Sequence, residues 1–131
     1  DTLDIDITWP SLGNIKGQGQ ITMDSPTQFK WDGTTKGEND FHGRLTGTLQ
    51  RLPSAEEADE ELKRQGVRGT LAAQLLPGTW QATFTNEDGQ TSQGQWHFQP
   101  RSPYTMDIVA QGTISDGRPI VGYGKATVKT P

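Results

Sequence analysis

Leu3, Ile5, Ile7 and Trp9 alternate with Asp4, Asp6 and Thr8. A period of two places the apolar set on one face of a strand and the polar set on the other. Pro10 and Gly13-Asn14 then break the pattern, because proline cannot donate to a ladder and Gly-Asn favours a turn. Alternation returns with Ile21 and Met23 against Gln20 and Thr22, and again with Phe29 and Trp31 against Lys30 and Asp32. A further segment, Gly43 to Leu49, carries Leu45, Gly47 and Leu49 on one side. Four such segments separated by turn residues predict an antiparallel meander.

The pattern then recurs. Residues 2–53 align with residues 78–131 at an offset of 75, the kind of self-similarity that marks internal duplication. Thr8 and Trp9 fall on Thr83 and Phe84, Gln18-Gly19-Gln20 on Gln93-Gly94-Gln95, and Phe29, Trp31 and Asp32 on Tyr104, Met106 and Asp107. After an insertion at Ser115-Asp116-Gly117, Gly43, Thr48 and Leu49 fall on Gly122, Thr127 and Val128. Inward and outward parity is kept across the aligned positions. The chain therefore reads as one domain of two four-strand copies.

Between the copies, Ser54-Ala55-Glu56-Glu57 is a capping box, in which the serine hydroxyl and the glutamate carboxylate satisfy free amides at a helix start. It predicts one connecting helix over about 54–65, stopped by Gly66, with Asp59 pairing to Lys63 and Glu60 to Arg64 one turn apart. Residues 67–76 fit a strand, in which Leu71, Ala73 and Leu75 alternate, or a second short helix, and the strand is preferred. The fold class is all-β: an eight- to nine-stranded antiparallel barrel, or a two-sheet sandwich, of two duplicated meanders. The barrel is preferred because closure removes exposed edges and strand glycines permit bending.

Composition narrows the functional classes. The 131 residues carry a net charge of −4 with the 12 Lys and Arg scattered, so no basic stripe is available to displace counterions from nucleic acid. The absence of cysteine removes disulfides, thiol catalysis and Cys-ligated zinc. No apolar run is long enough for a membrane-spanning helix. The start at Asp1 reads as a processed or excised chain, which points to a periplasmic or secreted setting within a larger protein.

The four tryptophans would form a sugar-stacking surface if exposed. Comparison of the copies argues for core instead: Trp9 matches Phe84, Ile5 matches Trp80, Trp31 matches Met106 and Ile21 matches Trp96, each on the inward side. In a barrel, Trp31, Trp80, Trp96 and Tyr104 are then the candidate lining for an apolar or amphipathic ligand. Asp32 and Asp107 are the matched acidic pair, outward at strand ends, where a cation or acid-base chemistry would need two carboxylates to converge. His97 sits between inward Trp96 and Phe98 and so points outward, and His42 begins the fourth strand. Neither histidine has a second ligand at metal-binding spacing, so no metal or cofactor is expected.

Gly78-Thr79-Trp80 resembles the Gly-x-Trp start of lipocalin-like barrels, and the glycine hairpins, such as Gly122-Tyr123-Gly124-Lys125, resemble those of MORN repeats. Neither pattern extends through the chain. With no clustered catalytic residues, the first functional expectation is a non-catalytic module for protein assembly, adhesion or scaffolding, with a protein partner. The second is a small barrel holding an apolar or amphipathic ligand inside. The third is an enzyme using Asp32, Asp107 or His97.

Overall fold

The alternating segments become eight antiparallel strands in the computed structural model, which describes residues 2–37, 43–53, 56–64 and 70–128. The first half holds β1 (Thr2–Trp9), β2 (Ile15–Ser25), β3 (Gln28–Lys36) and β4 (Gly43–Arg51). After α1 (Glu56–Lys63) and α2 (Leu71–Leu75), the second half holds β5 (Gly78–Asn86), β6 (Thr91–Ser102), β7 (Thr105–Ile114) and β8 (Pro119–Val128). Each strand pairs with the next, and β8 returns to β1 through the register Leu3↔Val128 to Thr8↔Tyr123. The sheet is therefore a closed barrel, and the sandwich alternative is excluded.

The inward row is the one that alternation predicted. Leu3, Ile5, Ile7, Ile21, Phe29, Trp31, Leu49, Trp80, Phe84, Trp96, Phe98, Met106 and Ile108 are all buried. Paired inward glycines let the strands coil tightly enough to close. A methyl group at Gly94 would meet the Gln111 carbonyl oxygen and stand 2.7 Å from the Gly112 Cα, its cross-strand partner. Gly19 and Gly33 form the matching pair across β2 and β3.

The connection between the halves departs from expectation. Leu71–Leu75 is a helix and not a ninth strand: the Thr70 hydroxyl accepts from the Ala73 amide at 3.3 Å and caps it. Alternation over so short an apolar run does not separate strand from helix. The structure thus carries two α-helices among the described residues, where one was expected. Ser54, Ala55, Gln65 and Gly66, which carry the predicted cap and stop of the first helix, lie outside the described residues, as do residues 67–69.

Asp59 does not pair with Lys63. Lys63 bonds Glu60 at 2.8 Å instead, and this contact holds the Glu60 carboxyl below its usual range. Asp59 turns into the barrel end. Its Oδ2 accepts from Arg51 Nη1 at 2.8 Å and from the Thr79 amide at 3.0 Å. Arg51 also donates to the Pro77 and Leu75 carbonyls and lies 4.3 Å over the Trp80 ring. Ala72, Ala73 and Leu76 are fully buried, and Trp80 Nε1 donates to the Leu76 carbonyl at 2.8 Å. The helices thereby close the end of the barrel where β4 ends and β5 begins.

Candidate functional site

The opposite end is different. Beyond the floor formed by Trp96 and Phe84, the inward positions of β6 and β7 are the small Ser92, Gly94, Ala110 and Gly112, with Ile114 following at the end of β7. On the β1 side the space is filled, because the Trp9 indole lies across Gly17 and Gly122: a methyl group at either glycine would come within 2.7 to 2.8 Å of it. Bulk on one wall and glycine on the other leave a cavity of about 190 Å³ at this end, lined from all eight strands. Trp9, Ile15, Leu45, Phe84, Trp96 and Ile120 give it an apolar wall.

The rim is polar. Asn86 Oδ1 accepts from the amides of Asp88 and Gln90 and its Nδ2 donates to Gln90 Oε1, which fixes the β5–β6 turn. In the β7–β8 turn the Arg118 amide donates to Asp116 Oδ1 at 2.9 Å, and Arg118 Nε donates to Asp116 Oδ2 at 2.6 Å. These bonds, the backbone one foremost, hold the Asp116 carboxyl below its ordinary range. Both turns border the cavity.

The sequence candidates separate in three dimensions. Trp96 lines the cavity, whereas Trp80 is buried at the closed end. Trp31 sits just behind the wall, edge-on to Trp96 at 5.9 Å and to Phe84 at 6.1 Å. Tyr104 is not inward. It occupies the β6–β7 turn and is 46% exposed. Ser102-Pro103-Tyr104 repeats the Ser25-Pro26-Thr27 turn of β2–β3, with the same 3.3 Å bond from the third residue's amide to the serine hydroxyl. Tyr104 thus stands where Thr27 stands, not where Phe29 does.

Asp32 and Asp107 do not converge. They lie on the outer faces of β3 and β7, four strands apart in a ring of eight, and each is taken by its own arginine: Asp32 by Arg44 through two bonds of 2.8 and 3.1 Å, Asp107 by Arg101 at 2.9 Å. The Arg44 hydrogen bonds hold the Asp32 carboxyl below its usual range. His97, on β6, is half-buried, with Nδ1 3.0 Å from the Thr79 hydroxyl. His42 lies outside the described residues, and among those residues no group of three His, Cys, Asp or Glu could hold a metal ion. No described helix is long and apolar enough to cross a membrane.

Reading the sequence alone missed Trp9, Leu45 and Ile120 as lining. Their inward parity was visible, but the small residues opposite them were the signal, and those become neighbours only through closure.

Neither a family model nor a curated protein matches the chain. Solved structures of small barrels do. One, described as EF1p2_mFAP2b bound to DFHBI, has a TM-score of 0.54 at 14% identity, covering 98% of this chain and 91% of its own. A de novo designed fluorescence-activating β-barrel has a TM-score of 0.52 at 15% identity, with coverages of 98% and 91%. A redesigned barrel, mFAP1 bound to DFHBI, has a TM-score of 0.50 at 19% identity, with coverages of 96% and 91%.

At these identities the likeness establishes the barrel fold. It also corrects the expectation of an assembly, adhesion or scaffolding module. The barrels that the chain resembles include two with DFHBI bound and one described as fluorescence-activating. Closure reinforces the correction, since every strand is paired on both sides and none is left as an edge for another chain to extend.

Proposed function

We propose that this chain is a ligand-binding barrel that takes a small, planar, largely apolar molecule into the cavity at its open end. The observation that carries the reading is the cavity walled by Trp9, Phe84 and Trp96, at one end of a barrel filled at the other. Aromatic walls favour a flat ring system through offset and edge-on contacts. At about 190 Å³ the space falls below the roughly 300 Å³ at which drug-sized pockets begin. It exceeds the roughly 150 Å³ that suffices for benzene in an apolar cavity. The fitting ligands are therefore molecules of one or two fused rings, or a larger one that projects past the polar rim.

The test is a titration followed by calorimetry and by intrinsic emission, since Trp9 and Trp96 face the cavity. Naphthalene-sized aromatics and DFHBI are the first probes, the latter because two of the similar barrels are described as bound to it. Saturable binding that Ala110→Leu abolishes supports the reading. Absence of saturable binding up to the solubility limit of every probe overturns it.

We also propose that the two halves are copies of one four-strand unit. The shared Ser-Pro turns with their matching serine bonds and the equal division into four strands each support it.

A further inference from the structure

Three of the side chains that meet at the cavity wall are indoles or phenyl rings with no ionisable group, yet the indole just behind them carries an unmet polar demand. Trp31 is 2% exposed, and its Nε1 has no hydrogen-bond acceptor among the described residues. Trp80, equally buried, shows the ordinary solution by donating to the Leu76 carbonyl. A buried donor without an acceptor costs roughly 1–3 kcal/mol, so such groups are rare and point to a missing partner. The rings around Trp31 offer only their faces, which are weak acceptors beside an oxygen or nitrogen lone pair.

The orientation of the indole locates the missing acceptor. Cζ2 and Nε1 share one edge of the ring, and Cζ2 lies over Gly33: a methyl group there would be 2.6 Å from it. Gly33 is the next inward position on β3 towards the open end, and Thr35, the one after it, lines the cavity. The N–H edge therefore faces the open half of the barrel. Trp96 and Phe84 stand between, 5.3 Å apart and tilted by 46°, and they are themselves cavity wall.

We infer that Trp31 is a hydrogen-bond donor to the ligand, and that the cavity selects planar aromatics carrying an acceptor atom on the end that enters first. This rests on the cavity being a binding site. The acceptor reaches Nε1 when Trp96 and Phe84 part, so the ligand both fills the cavity and satisfies the donor. An aromatic of the same shape without an acceptor fills the cavity and leaves the donor unmet.

Naphthalene, quinoline and indole separate these possibilities, being nearly the same size and offering respectively no polar atom, an acceptor and a donor. Quinoline is expected to bind roughly five- to tenfold more tightly than naphthalene, the span of one net hydrogen bond, and indole no more tightly than naphthalene. In ¹⁵N-labelled protein, quinoline moves the Trp31 indole N–H resonance downfield and naphthalene does not. Trp31→Phe keeps naphthalene binding and abolishes the preference for quinoline. Should that variant fail to fold, the resonance shift in the unmodified protein still decides.

Equal binding of quinoline and naphthalene, or a Trp31 resonance unmoved by bound quinoline, overturns the donor role and leaves the cavity reading standing. Binding of none of the three, nor of DFHBI, overturns the cavity reading and this inference with it.

Discussion

Arg51 and Asp59 meet at 2.8 Å inside the closed end of the barrel, with side chains 7% and 1% exposed. Removing one member of such a pair leaves the other charge buried and uncompensated, at a cost of about 3–5 kcal/mol. Asp59→Ala is therefore expected to lower the unfolding free energy by that amount in urea titrations, because Arg51 loses its counter-charge and the Thr79 amide loses its acceptor. Glu60→Ala, which removes the surface partner of Lys63, is expected to leave the midpoint where it was.

The glycine pair Gly94 and Gly112 predicts a second, different kind of loss. Gly94→Ala pushes a methyl group against the Gln111 carbonyl and the Gly112 Cα, both backbone atoms that cannot rotate away. The expected cost is about 1–3 kcal/mol or more, read from the urea midpoint. Near-ultraviolet dichroism should weaken with it, since Trp96 lies one inward position along β6.

Filling the cavity should act in the opposite direction on stability. Ala110 is buried and lines the space, so Ala110→Leu puts apolar atoms where there are none. Such cavity-filling changes commonly add about 0.5–2 kcal/mol. A raised melting temperature together with at least a tenfold loss of aromatic-ligand affinity is the expected pair of results. Loss of affinity with a lowered melting temperature would instead mean that the cavity wall had been distorted.

Acid should weaken ligand binding only at low pH. The folded Asp116 carboxyl is held below its ordinary range by the Arg118 amide and side chain, so its charge persists through neutral pH down to the usual carboxylate range near about 4. Its contribution to ordering the rim is present above that range and is lost as pH falls through the lowered value. Affinity is thus expected to stay flat from pH 8 to about pH 4 and to decline below. In D116N the decline should disappear, with weaker binding throughout.

Much of the barrel was legible because strand alternation is local. Leu3, Ile5, Ile7 and Trp9, or Trp96 and Phe98, announce an inward face without reference to the rest of the chain, and a low apolar content suffices when every apolar residue falls on that face. Trp80 and Trp31 were placed in the interior for the same reason. Tyr104 was misplaced because the alignment offset carried it onto a strand, whereas the Ser102-Pro103 turn shifts the second hairpin by two residues relative to the first. Asp59 was misread because its helical neighbours four residues away compete with Arg51, a partner from a strand.

By itself the sequence determined the strands, their inward and outward faces, the turns between them and the burial of the tryptophans, since each depends on residues within a few positions of one another. The tertiary structure alone decided that the sheet closes, that Arg51 reaches Asp59 and that Trp31 keeps an unmet donor beside a cavity. Those outcomes depend on which side chains meet across the barrel. Bulk from β1, β3 and β5 faces glycine and alanine from β6 and β7, and only the ring of hydrogen bonds that joins β8 to β1 brings them together.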